Sequence, residues 1–323
     1  MARSDLILQL VQSGGSGDLG LFKKVVEAII ADEKSKQHNI YAEKLEELLN
    51  LIRFPAKTNA PLITTSRENV TNLIFETKPE ILLDDLILNS NAYVEISGLI
   101  EEHYRVDLLR SYSMEPRHRI LLIGPPGNGK TSLAEAIASS LMLPLVTVRY
   151  ETIIGSYLGE TSTRLKNLFD YVKTQHCVLF FDEFDAIGKE RADVHETGEI
   201  KRVVSSLLLQ IDKLPSYVIV VAATNHSELL DKAVWRRFQV KTILSKPTLI
   251  QISQYLNKYQ NKCAINFGIS STEMSKKLNG LSFSELKDFC DNLVRKYILS
   301  LPNSSRTIKA ITSQALANIS KIG

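Results

Sequence analysis

The sequence predicts an α/β protein: a parallel five-stranded sheet with helices on both faces, preceded by a small helical N-terminal module and followed by a small helical lid domain. Three observations carry that expectation. From residue 119 onward short apolar stretches alternate with helical patterns, the rhythm of parallel strands joined by helical crossovers. Those stretches are apolar at nearly every position rather than every second one, as strands covered on both faces require. After Pro247 the strand signal stops and only helical periodicity remains.

Taken in order, residues 19–31 set Phe22, Val25, Val26, Ile29 and Ile30 on one helical face, and residues 40–52 do the same with Leu45, Leu48, Leu49 and Ile52. Pro55 and the polar run AKTNAP then read as a linker. The expected organisation is a helical module at 1–54, a linker at 55–80, the α/β domain at 81–246 and the lid at 247–323. The expected strands are RILLIG, PLVTVRY, CVLFFDE, YVIVVAATN and VKTIL, separated by helices at 131–141, 161–174, 199–212 and 228–235. Lid helices are expected at 248–262, 272–279, 283–300 and 308–321.

Composition narrows the function classes. Hydrophobic residues make up 44% of the chain and charged residues 23%, ordinary proportions for a soluble globular protein. The net charge of +3, with Lys and Arg interspersed among Asp and Glu, leaves no footprint for nucleic acid. No apolar run reaches the ~18 residues of a membrane span. Asp5 and Gln9 interrupt the short apolar stretch at the N-terminus, which therefore lacks a signal-peptide layout, and a cytoplasmic protein is expected. Cys177, Cys263 and Cys290, with no C-x-x-C pair, are expected as reduced thiols. His195-Glu196 begins like a H-E-x-x-H zinc site, but Glu199 stands where the second histidine would be.

Two glycine-rich stretches compete as nucleotide sites. Residues 15–20, GSGDLG, fit G-x-G-x-x-G, yet lack the acidic partner and the second half of a dinucleotide fold. They read as a connector, with Asp18 capping the helix after it. Residues 124–131, GPPGNGKT, fit G-x-x-x-x-G-K-[ST] directly after an expected strand and at the start of an expected helix. Here backbone N–H groups can wrap phosphates and the helix N-terminus adds its positive end. Lys130 would reach the β- and γ-phosphates of ATP, and the Thr131 hydroxyl would ligate Mg²⁺. The candidate nucleotide set is Gly124, Pro125, Pro126, Gly127, Asn128, Gly129, Lys130, Thr131, Ser132 and Asp182, with Thr131 and Asp182 as the metal pair.

In VLFFDEFD, residues 178–185, four apolar positions run into Asp182 and Glu183. A buried strand ending in two carboxylates can hold Mg²⁺ through Asp182 and polarise the attacking water through Glu183. Asp185 reads as a cap for the following turn. Asn225 ends the next strand, where an amide could help to orient that water. Arg236-Arg237, in DKAVWRRF, are either a surface basic pair or arginines that stabilise transition-state charge.

The order GPPGNGKT, FFDE, ATN, AVWRRF strongly resembles an AAA+ ATPase, within the AAA clade that includes spastin and katanin. The resemblance covers roughly residues 80–300. It implies a homo-oligomeric ring, usually a hexamer, with ATP between neighbours and Arg236 and Arg237 serving the next subunit's nucleotide. SYLGE, residues 156–160, resembles the clade's first pore loop. Tyr157 and Leu158 would then grip an extended polypeptide substrate while Gly159 lets the loop bend. KERADVHETGE, 189–199, occupies the place of the second pore loop. GLSFSEL, 280–286, departs from the clade's small-residue lid motif, where adenine and ribose contacts are expected, at Phe283 and Ser284. Lys287 reads as a solvated helix face, with a second nucleotide sensor as the alternative, and Ile87 and Leu88 as candidates to pack on the base. The N-terminal module is similar, more loosely, to small bacterial AAA ATPases. Their genes often sit beside one for a subtilisin-like serine protease, in pairs thought to defend against phage or plasmids. What the resemblance implies is a ring that remodels or threads protein; a nucleotide-switched regulatory ring and a nucleic-acid loader are the alternatives.

Overall fold

The structure, a computed structural model, describes residues 72–149, 158–185, 197–301 and 307–319, and before them residues 6, 8–12, 19–35, 45, 46 and 49. The chain forms two compact units, Met1–Ile63 and Thr64–Gly323. In the first, helix α1 (Leu19–Ser35) buries the expected stripe, with Val26 and Ile30 packed on Leu49, Phe22 and Leu45. Lys34 reaches Glu46 at 2.9 Å on its rim. Gly15, Gly17, Asp18 and most of the helix expected at 40–52 lie outside the described residues.

The second unit is built on a mostly parallel sheet of six strands. They are β1 (Ile74–Thr77), β2 (Arg119–Ile123), β3 (Leu145–Val148), β4 (Cys177–Phe181), β5 (Val218–Thr224) and β6 (Val240–Ile243), ordered β1-β3-β4-β5-β2-β6. The five expected strands are all present and pair in parallel. The sixth, β1, is a correction. It comes from the stretch read as linker and pairs antiparallel with β3. It is only four residues long and leaves Phe75 on the open edge, 54% exposed beneath the Arg149 guanidinium, so it carries too little apolar signal to be read as a strand.

Side chains alternate across this sheet with period two. Leu121, Leu179, Phe181 and Val220 face α5 (Leu158–Val172) and α6 (Thr197–Asp212), which contribute Leu165, Phe169, Leu207 and Ile211. Ile120, Leu122, Phe180 and Val221 face α2 (Ser90–Tyr104) and α4 (Lys130–Ser140), which contribute Ile96, Leu99, Leu133 and Ile137. Every residue of β4 and β5 is buried, which is why those stretches read as unbroken apolar runs. Phe169, Phe180 and Phe181 are wholly enclosed, each worth roughly 1.5–3 kcal/mol of burial. Short α3 (Val106–Ser111) follows α2 directly, and α7 (Lys232–Trp235) sits between β5 and β6.

Beyond β6 the chain forms the helical lid, α8 (Leu249–Cys263), α9 (Ser271–Lys277), α10 (Phe283–Ser300) and α11 (Ile308–Ile319), around Ile252, Leu256, Met274, Leu286 and Leu293. Thr248 caps α8 and Ser282 caps α10, each in a reciprocal pair with a side chain three residues on, Gln251 and Glu285. Such caps contribute about 1 kcal/mol apiece and place each helix start within a residue. Among the described residues no helix is long and apolar enough to cross a membrane.

Candidate active site

Parallel strands point their C-terminal ends the same way, and three of those ends supply the site. β2 runs into the loop 124–129, which opens α4; β4 runs into Asp182 and Glu183; β5 runs into Asn225. Glycine is required in the loop at two close approaches. A Cβ on Gly124 would lie 2.0 Å from the Leu244 carbonyl oxygen, and one on Gly127 would lie 2.9 Å from Ser282 Oγ. The loop therefore touches both the exit of β6 and the start of α10, and Ser284 donates its backbone N–H to Gly127 O at 2.9 Å.

Lys130 opens α4 and is only 7% exposed. Its Nζ donates to Gly124 O at 2.7 Å, Pro125 O at 3.0 Å and Asn225 Oδ1 at 2.7 Å. Burial pulls its pKa down, and Asp182 and Asp185 push back against that shift. Thr131 Oγ1 donates to Asp182 Oδ2 at 2.9 Å, and the Glu183 N–H donates to Asp182 Oδ1 at 2.9 Å. Asn128 is 4% exposed, and neither polar atom of its amide has a partner among the described residues. A buried amide with nothing to bond is costly unless a ligand completes it.

Glu183 adopts a left-handed backbone with φ of 47°, uncommon for a residue with a side chain. The turn it makes sends its neighbours inward. Phe184 N–H donates to Ala223 O at 2.8 Å and its ring stacks edge-on against Phe181 and Phe238. Asp185, 3% exposed, accepts from Thr224 Oγ1 at 3.0 Å and from the Asn225 N–H at 3.2 Å. Glu183 itself stays exposed and faces a cleft of about 500 Å³. Pro126 to Ser132, Asp182, Glu183 and Asn225 all line that cleft, so it gathers nearly the whole expected set; Gly124 and Pro125 lie behind it as acceptors for Lys130.

The cleft's other end is apolar. Leu86, Ile87 and Leu88 line it from one side and Tyr255 and Phe283 from the lid, with their rings 5.7 Å apart. Lys287, read from sequence as a solvated helix face or a second sensor, also lines it. Tyr255 was missed: it lies on the apolar face of α8, where a ring at helical spacing reads as core. Arg236 and Arg237 do not line the cleft; Arg237 bonds Asp212 beside the first residue of β2, at the strand's other end. Leu158 and Gly159 fall in the first turn of α5, while Tyr157, His195 and Glu196 lie outside the described residues.

Over residues 120–246 the sequence matches the family described as "ATPase family associated with various cellular activities (AAA)". A protein of Sinorhizobium fredii, named as an uncharacterised AAA family ATPase, y4kL, is 35% identical over 304 residues, 93% of this chain and 90% of its own length. This chain belongs to the AAA family. It is accordingly an ATPase.

Two further relatives of this AAA ATPase match less of their own length. One, from Methanothermobacter marburgensis, is named a putative 26S proteasome regulatory subunit homolog and is 30% identical over 68% of this chain and 59% of itself. Another, from Corynebacterium jeikeium, is named an AAA ATPase forming ring-shaped complexes and is 27% identical over 78% of this chain and 53% of itself.

Proposed function

We propose that this AAA ATPase hydrolyses Mg-ATP in the cleft above β2, β4 and β5, and works as a ring, a hexamer in this reading, that remodels or threads a polypeptide. The observation that carries the chemistry is the exposed Glu183 carboxylate, turned into a cleft whose floor is the phosphate loop. The residues fit the substrate. Lys130 is a buried cation, the Asn128 amide has no partner among the described residues, and the apolar end offers two aromatic rings to a base. Thr131 and Asp182 offer Mg²⁺ two oxygen donors 2.9 Å apart, the hard ligands it takes, and the ion would neutralise charge on the β- and γ-phosphates.

Glu183 accepts the proton of the attacking water, and Asn225 orients that water. Lys130 already bonds Asn225 Oδ1, so a phosphate drawn to the cation would arrive beside the amide. Arg236 and Arg237 lie outside their own cleft, which supports a role at a neighbour's, and the C. jeikeium relative named as ring-forming supports assembly. For a polypeptide substrate the support is the Tyr157-Leu158-Gly159 stretch and the M. marburgensis relative named after the proteasome.

Glu183→Gln tests the chemistry. It should bind ATP within a few-fold of the parent, because Lys130, Thr131 and Asp182 are intact. Turnover should fall by about 10²–10⁴, the contribution of a general base. Near-normal hydrolysis would remove Glu183 from the reaction.

A further inference from the structure

We propose that Asp212 is a positioning residue for the arginine this chain offers to a neighbouring subunit, and that Arg236 rather than Arg237 is the side chain delivered. The proposal rests on the reading above that these arginines act in trans.

The two arginines are adjacent in sequence but differently placed. Asp212, the last residue of α6, spends one carboxylate oxygen on each of two guanidinium groups. Oδ1 accepts from Arg119 Nη1 at 2.8 Å, and Oδ2 accepts from Arg237 Nε at 2.8 Å. The two arginine side chains are part-buried, Arg119 at 20% and Arg237 at 26% exposed, while Asp212 sits at the surface with its side chain 34% exposed. A carboxylate whose two oxygens each take a charge-assisted bond from a part-buried guanidinium holds geometry better than a single ion pair on an open surface. Arg237 would have to abandon that bond to reach another subunit. Arg236 is exposed, and its side chain has no partner among the described residues.

The backbone beneath Arg236 is nevertheless pinned. Its N–H donates to Lys232 O at 3.2 Å, and the Arg237 N–H donates to Val234 O at 3.0 Å. Val234 and Phe238, 3% and 1% exposed, anchor the chain on either side, and Phe238 packs edge-on against Phe184. Arg237 adds an ionic anchor to the end of α6 and, through Asp212, to the first residue of β2. A cation that stabilises charge in a transition state must be held ready before the reaction, since reorganising it then costs rate. The Arg119–Asp212–Arg237 clamp supplies that readiness while leaving Arg236 to project. Neither arginine lines its own cleft, and Arg237 is tied beside Arg119, a full strand length, about 13 Å, from the phosphate loop.

The test uses the full chain, with kcat, KM, ATP affinity and melting temperature measured for Asp212→Asn, Arg236→Ala and the double variant. Arg236→Ala should lose about 10³-fold in kcat or more with ATP affinity kept. Asp212→Asn should lose about 10-fold or more in kcat, again with affinity kept within three-fold or so. The double variant should be no worse than Arg236→Ala, because a positioning residue has nothing left to position. Mixing Asp212→Asn subunits with Lys130→Ala subunits, which keep both Asp212 and Arg236, should restore turnover at mixed interfaces. Losses that multiply in the double variant, or absence of rescue in mixed rings shown to form, would overturn the proposal. So would Arg237→Ala abolishing turnover while Arg236→Ala keeps it. If Asp212→Asn fails to fold, Arg119→Gln loosens the same carboxylate and carries the same expectations. Full turnover in both arginine variants would sink the trans reading as well; full turnover in Asp212→Asn beside a dead Arg236→Ala would sink the positioning role alone.

Discussion

Glu183 and Asp185 stand two positions apart and meet opposite environments, one in the cleft and one in the core. Their difference was only half legible in VLFFDEFD. The pairing of Asp182 with Glu183 at a strand end is a local pattern, whereas the burial of Asp185 depends on Thr224 and Asn225, about forty residues on, which no local pattern shows. The turn cap expected at Asp185 is instead a brace that sets the end of β5. Asp185→Ala would leave the Thr224 hydroxyl and the Asn225 N–H without an acceptor, costing about 1–3 kcal/mol in a denaturant titration. It should also lower kcat more than it weakens ATP binding, since Asn225 would lose its fixed position. Asp185→Asn keeps an acceptor oxygen and should retain most of both properties; equal damage from the two variants would point to charge rather than geometry.

At the scale of elements, strands buried on both faces and helices with capped starts could be read almost to the residue; α10 begins and ends where its pattern did. What escaped were elements defined by partners rather than by their own sequence, β1 at the sheet edge and the packing of α8 against α10 that brings Tyr255 to Phe283. The start of α5 is a third case. Its helix begins at Leu158, earlier than the periodicity from 161 suggested, so Leu158 and Gly159 lie in a helix rather than in a loop. If the Tyr157-Leu158-Gly159 stretch grips polypeptide, Tyr157→Ala should leave basal ATP hydrolysis within a few-fold, because the residues assigned to the phosphates, Lys130, Thr131 and Asp182, are unchanged. ATP-dependent unfolding of a tagged, loosely folded reporter protein should be lost. Collapse of hydrolysis and folding together would instead mark Tyr157 as packing for α5.

For the whole molecule, two imidazoles tie stability to pH. His103 bonds Arg117 O at 2.8 Å and His118 lies near Pro116 O, and burial pushes both pKa values below the usual histidine range. The folded chain keeps them neutral while the unfolded chain takes up protons near pH 6.5, so stability is full above that pH and lost as pH falls below it. Melting temperature should therefore drop between pH 7.5 and 5.5, before carboxylates such as Glu102 and Glu285, held low by their partners, begin to titrate. A His103→Gln/His118→Asn variant should flatten that slope. The strand order has a consequence of another kind, in time. β2 lies between β5 and β6, which are made roughly a hundred residues after it, while β3 and β4 belong to a different part of the sheet. At synthesis rates of about 5–20 residues per second, the strand that carries the phosphate loop waits on the order of 5–25 s for either neighbour. Until then RILLI, later sealed on both faces, has no sheet to join. The catalytic loop is thus among the last parts of the sheet to acquire its shape, although it is among the first of the sheet to be translated.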